Sequence, residues 1–221
     1  MEELKQINEE TRESFDLVAE KYFDSYKDEM KQKEYDRMTL DRFAGYFDSE
    51  SMICDMGCGP GHITRYISDK GLKIFGIDIS ERCVEIARRE NSRMRFDIMD
   101  MTQLDIADES VDGIISFYSI IHTPKRFMNR LFYEFNRVLK KHGKILIVVK
   151  KGDTEGYIYD LEGFKTRLYF THFNEAEIYS YLEVNGFKVL FQETRQPYDF
   201  EISIERIYTI GEKSARASRL G

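Results

Sequence analysis

Between residues 51 and 150 short apolar runs alternate with helix-patterned segments, and few architectures accept that order. Ser51–Asp55, Lys73–Ile77, Met94–Ile98, Val111–Phe117 and Lys144–Val149 read as strands. Pro60–Asp69, Glu81–Glu90 and Pro124–Lys140 carry helical periodicity. Ser80 is placed to cap the second of these, Pro124 lies in the first turn of the third, and His142-Gly143 closes it. Strands that are apolar along their whole length belong in a sheet covered on both faces, and parallel neighbours need right-handed helical crossovers. The segment is therefore expected to form an α/β fold with a doubly wound sheet.

The flanking zones differ. Residues 1–48 contain helix-spaced apolar positions (Phe15, Val18, Ala19, Tyr22, Phe23, Tyr26, then Tyr35, Met38, Leu40, Phe43), with a break expected at Gly45, and no strand-like run. They read as a helical cap. Residues 151–173 are rich in Gly, Tyr and Phe without clear periodicity and are expected to be a flap. Asn174 caps a helix that Gly186 ends, and Phe187–Glu193 and Ile202–Ile210 read as strands. A strand pair joined by a short loop would be antiparallel and make the sheet mixed. Residues 1–212 then form one domain (cap 1–48, central half 51–150, flap 151–173, C-terminal helix and strand pair 174–212), and 213–221 are expected to be a disordered tail.

Composition narrows the function. With 221 residues, one domain is expected at roughly 100–200 residues each. The 33 basic and 40 acidic residues leave a net charge of −7, which argues against a sequence-independent nucleic-acid binder, so no nucleic-acid partner is expected. No apolar run approaches the ~20 residues that span a bilayer, and the acidic amphipathic start is unlike a signal peptide. Cys54, Cys58 and Cys83 have no metal-ligand spacing and read as reduced thiols. A cytoplasmic protein without membrane or metal partners, monomeric or homodimeric, is expected.

The first strand runs into Asp55-Met56-Gly57-Cys58-Gly59-Pro60-Gly61 and then a helix. Three glycines permit positive φ and close backbone approach to a ligand, and N–H groups at a helix start favour an anionic group. A dinucleotide fingerprint would need glycine at position 62, where His62 stands, and the P-loop pattern is absent. The acid two residues before the first glycine favours a ligand that also carries a cation.

These residues resemble the first motif, D-x-G-C-G-x-G, of the class I S-adenosylmethionine-dependent methyltransferases, in particular the small, helical-capped bacterial and archaeal type. The resemblance continues through Gly76–Ser80, Asp97–Met101, Asp112–Tyr118, Arg137–Gly143, Phe173–Ile178 and Asn185–Phe187, so it covers roughly residues 14–212. One departure is Lys141-His142-Gly143 in place of the usual Pro-Gly-Gly turn. The resemblance implies a Rossmann-like doubly wound, seven-stranded mixed sheet with the last strand antiparallel. It also implies S-adenosylmethionine as cofactor, and a site at Tyr22, Asp55, Gly57, Cys58, Gly59, Gly61, Asp78, Ile79, Asp100, Met101, Ser116 and Tyr118. In that reading Asp55 attracts the methionine amino group and the N–H groups of the loop meet its carboxylate. Asp78 accepts the ribose hydroxyls, and Ile79 supplies an apolar face for adenine. Asp100, with Asp97 as a rival, takes the exocyclic amine, Met101 offers backbone N–H, Ser116–Tyr118 lie beneath the sulfonium, and Tyr22 closes over the ligand.

On the acceptor side, in-line transfer mainly needs alignment and exclusion of water, with a base only for a protonated nucleophile. His122 is the candidate catalytic residue. Tyr118, His122, Tyr169 and Arg206 are candidate acceptor contacts, with Glu201 beside Arg206 either reaching the pocket or pairing on a sheet edge. His172 ranks below His122, and His62 is expected to face outward or cap its helix. The expected function is methyl transfer to a small-molecule acceptor. Methylation of RNA or protein, or a catalytically inactive cofactor-binding module, remain alternatives.

Overall fold

Helix α1 (Glu2–Tyr26) and α2 (Glu34–Ala44) are joined through a 3-10 turn at Glu29–Lys31 and precede the sheet in this computed structural model, which describes residues 2–214. β1 (Met52–Met56), α3 (His62–Ser68), β2 (Lys73–Asp78), α4 (Glu81–Glu90), β3 (Phe96–Ile98), β4 (Val111–Phe117), α5 (Met128–Val138) and β5 (Leu139–Lys150) follow in alternation. β6 (Glu155–Leu161) and β7 (Phe164–Thr171) form a separate antiparallel hairpin. α6 (Glu175–Val184), β8 (Phe187–Arg195) and β9 (Arg206–Lys213) complete the chain.

The seven-stranded sheet runs β3-β2-β1-β4-β5-β9-β8. β1 to β5 are parallel, and β9 is inserted antiparallel between β5 and β8. The sheet is mixed and its last strand antiparallel, as the sequence implied. The winding reverses between β1 and β4, and in such sheets ligands lie in the crevice outside the carboxyl ends of the strands at that switch.

Alternation along β5 separates two cores. Ile145, Ile147 and Val149 face α5 and α6, packing on Leu131, Phe132, Phe135, Ile178 and Leu182. Leu146 and Val148 face the other way, onto a cluster that holds Leu40 and Phe43 of α2 and Ile63 and Ile67 of α3. α1 lies outside this layer, with Ala19 against Cys83 and Ile86 of α4.

Four local expectations change. The flap is the β6–β7 hairpin, a register its irregular aromatic pattern concealed. The third crossover helix is interrupted by 3-10 turns and begins at Met128, and β5 starts at Leu139 with no loop between. At Gly143 an added Cβ would stand 2.6 Å from Leu139 Cγ, so this turn needs glycine for space. β9 begins at Arg206 and not Ile202, because the Arg206 guanidinium donates to the carbonyls of Ile202 and Ile204 and folds that segment back. β9 also continues through Lys213, where the tail was expected to start, and residues 215–221 of that expected tail lie outside the described residues.

Phe132 is fully buried and stacks on Tyr181 with ring centroids 6.0 Å apart. Phe132→Ala should lower stability by about 3–5 kcal/mol, seen as a fall in the urea midpoint at unchanged slope.

Candidate functional site

A cavity of about 640 Å³ opens at the β1/β4 switch, roofed by α1 and the β6–β7 hairpin. Its floor is the glycine loop. Gly57, Gly59 and Gly61 all have positive φ (71°, 52° and 83°). A Cβ on Gly57 would fall 2.4 Å from Ser119 Cβ, so the loop can run beneath the end of β4 only without a side chain there. The loop's amides are not free, however. Gly57 and Cys58 both donate to Ile77 O (2.8 and 2.9 Å), Gly59 to Asp78 Oδ2 (2.8 Å) and Gly61 to Cys58 O (3.0 Å). The expectation that these N–H groups meet a ligand carboxylate is therefore corrected: they tie the loop to β2.

Asp78 ends β2 and accepts Gly59 N–H on one oxygen and Ser80 N–H (2.9 Å) on the other. Burial pushes its carboxyl above the ordinary range. Asp55 is deeper. Burial pushes it up to about 6 against the hydroxyl of Thr64, which donates to Asp55 Oδ2 at 2.7 Å. Among the described residues neither acid has a salt-bridge partner, yet both line the cavity. Ile79, Asp100 and Met101 line the same end. Asp100 is already held: Asn8 of α1 donates to Oδ2 (2.6 Å), and the Thr102 amide and hydroxyl donate to Oδ1 (both 2.7 Å). Its rival Asp97 pairs with Arg95 at 2.6 Å and does not line the cavity. Tyr22 enters from α1, braced by Phe15 (5.7 Å, edge to face) and Tyr26 (4.4 Å).

The other end is built by β4, β5, β9 and the residues Glu29, Gln32 and Lys33 that precede α2. Tyr118 adopts φ 57°, a strained conformation for a tyrosine, as the chain leaves β4, and its hydroxyl lies 3.3 Å from that of Tyr208. His122 lies 2.9 Å from Tyr169 O through Nδ1. A carbonyl only accepts, so Nδ1 carries the proton and the lone pair is on Nε2. Burial, with Lys150 nearby, depresses this imidazole to about 4, even though the bond to Tyr169 works the other way. Arg206 and His172 also line this end.

Three expected residues stand behind the wall. Gly61 packs on Phe96 and Asn91, Ser116 lies 2.7 Å from Ser119 Oγ beneath the surface, and Tyr169 turns its ring onto Tyr157 and contributes its carbonyl to His122. His62, expected to face outward or cap its helix, instead lines the cavity and lies 2.7 Å from Glu29, and Gly61 takes the cap position. Burial opposes ionisation of Glu29, but His62 and Lys33 (2.5 Å) outweigh it and hold the carboxyl at about 2. Asn8, Glu29 and Lys33 were missed because nothing in a solvated-looking helical pattern marks them as inward-facing. The roof is clasped at the hairpin tip: Ser25 and Tyr26 donate to the Glu162 carboxylate (3.1 and 3.2 Å) and Lys21 to its carbonyl (2.5 Å).

The methyltransferase-domain family model matches residues 53–143. A methyltransferase of Streptomyces halstedii is 32% identical over 125 residues, which cover 53% of this chain and 42% of that protein. The chain spans less than two thirds of the first curated relatives it matches. A methyltransferase structure from Methanosarcina mazei superposes with a TM-score of 0.71 at 20% identity, covering 78% of this chain and 96% of that one. The 1,6-didemethyltoxoflavin-N1-methyltransferase of Burkholderia thailandensis, solved with 1,6-didemethyltoxoflavin and S-adenosylhomocysteine, gives 0.61 at 16% identity over 92% and 91% of the two chains. The matched segment runs from β1 into β5, and the chain shares the fold of S-adenosylmethionine-dependent methyltransferase structures. The donor set fits S-adenosylmethionine: two buried carboxylates with no ion-pair partner among the described residues suit its ammonium and its ribose hydroxyls.

The His122 geometry has a pH signature. Between its ordinary 6.5 and about 4 the unfolded chain binds a proton that the folded chain refuses, so His122 withdraws on the order of 2–3 kcal/mol of stability as pH falls through that window. Asp55, raised to about 6, acts in the opposite sense. The stability advantage of wild type over His122→Asn in urea melts should therefore shrink from pH 7 to pH 4. A pH-independent difference would refute a buried neutral imidazole.

Proposed function

We propose that this protein transfers the methyl group of S-adenosylmethionine to a small molecule enclosed beneath α1 and the β6–β7 hairpin. The observation that carries the reading is the pair of buried, cation-less carboxylates, Asp55 and Asp78, at the mouth of the β1/β4 crevice. Asp55 would take the amino group and Asp78 the ribose diol, with its orientation fixed by Gly59 and Ser80. Ile79 and Met101 would flank the adenine, and Asp100, held by Asn8, would couple that contact to α1. Gly57, Cys58 and Gly59 would give the close approach, and Tyr22 the cover. The bound cofactor supplies an electrophilic methyl group on a sulfonium.

The chain's part in the transfer is positional. The clasped roof excludes water, and Tyr118 and His122 face the acceptor end. His122, with its tautomer set by Tyr169 O, presents the Nε2 lone pair to receive a proton from an acceptor N–H or O–H. The acidic surface and roofed chamber favour a small acceptor over RNA or protein. The Burkholderia thailandensis protein of similar fold was solved with 1,6-didemethyltoxoflavin bound, which is consistent with this.

Asp78→Ala should weaken S-adenosylhomocysteine binding at least about tenfold by calorimetry, since charge-assisted hydrogen bonds are worth about 1.5–3 kcal/mol each. Unchanged affinity would sink the cofactor geometry. Cofactor binding without methyl incorporation across a broad acceptor panel would favour a binding module. An ammonium beside Asp55 favours its charged form, so binding should release a proton and tighten as pH rises towards about 6, then level off. Asp55→Asn should remove this dependence, and calorimetry in buffers of different ionisation enthalpy reads it directly.

A further inference from the structure

Lys150, Arg206 and Arg195 form one row across three strands. Lys150 on β5 is the register partner of Arg206 on β9, and Arg206 is in turn the partner of Arg195 on β8. Residues directly opposite in antiparallel pairs share a face, and like charges there repel. Two of the three are compensated within the fold. Arg195 donates to both oxygens of Glu201 (2.8 and 3.1 Å) and lies 3.4 Å from Asp36. Arg206 donates through Nη1 to the Ile202 and Ile204 carbonyls, and its Nε is 3.6 Å from Glu201. Lys150 has no ion pair or side-chain hydrogen bond among the described residues, and it lines the cavity beside Arg206.

The neighbours deepen the imbalance. The charges acting on Lys150 are Arg206, Lys33 and, opposing them, Glu201, which is already shared by Arg195 and Arg206. An enclosed ammonium beside a second cation is costly unless an anion completes it. Lys150 offers freely rotating donors, and Arg206, with Nη1 committed, has Nη2 left. One donor from each side chain matches the two oxygens of a carboxylate.

We propose that the methyl acceptor is a carboxylic acid, anchored through its carboxylate by Lys150 with Arg206, its apolar body against Phe170 and Leu168 of the hairpin. This rests on the chamber being the acceptor site of a methyltransferase, so cofactor binding is measured separately.

The full-length protein saturated with S-adenosylhomocysteine is titrated with phenylacetate, phenylacetamide and phenyl phosphate by ligand-observed NMR and calorimetry. Phenylacetate should bind at least about tenfold more tightly than its neutral amide, and Lys150→Met should erase that preference. Lys150→Met should leave the affinity for S-adenosylhomocysteine within about twofold, a change of about 0.4 kcal/mol. Binding of the amide as tight as the acid, failure of the acid to bind, or a preference that survives in Lys150→Met overturns the proposal. Tighter binding of phenyl phosphate overturns the assignment to a carboxylate. Loss of S-adenosylhomocysteine binding by the wild type would instead strike the cofactor reading.

Discussion

The carboxylate of Asp78 is the joint on which this site is assembled. One oxygen fixes Gly59 and with it the middle of the glycine loop; the other fixes Ser80. The Ser80 hydroxyl in turn caps α4 by accepting Cys83 N–H (3.0 Å) and donates to Asp16 of α1 (2.7 Å). A single side chain thus aligns the loop, a crossover helix and, through one more hydrogen bond, the helix that roofs the cavity. Burial makes its charge expensive, and the backbone N–H groups of Ser80, Gly59 and Ile79 offset only part of that.

The cavity has two electrostatic ends. At the β1/β2 end, Asp55 and Asp78 are buried acids with no ion-pair partner among the described residues. At the β5/β9 end, Lys150 has no ion-pair partner among the described residues and stands next to an arginine whose carboxylate is shared. Between them stand neutral His122 and Tyr118. Low-dielectric walls strengthen both fields, so a ligand that is cationic on one side and anionic on the other would be held in one orientation only.

The winding of the sheet was legible because it rests on periodicity: Ile145, Ile147 and Val149 against Leu146 and Val148 can be satisfied only by a sheet covered on both faces. The glycine loop was legible because positive φ restricts the residue type. Asp55 and Asp78 were legible from their place at strand ends. What escaped depended on contacts distant in sequence. Asn8 meets Asp100 across 92 residues, and His62 meets Glu29 across 33. The hairpin at residues 155–171 alternates too weakly to announce itself, since its strands are half covered on both sides. The role of Tyr169 lies in its carbonyl, which no side-chain pattern can reveal.

The clasp at Glu162 reaches beyond the roof it closes. Lys21, Ser25 and Tyr26 sit on the same helix that carries Tyr22 and Asn8, one lining the cavity and the other holding Asp100. A displacement of the hairpin from this helix would therefore be felt at Asp100, on the far side of the cavity, as well.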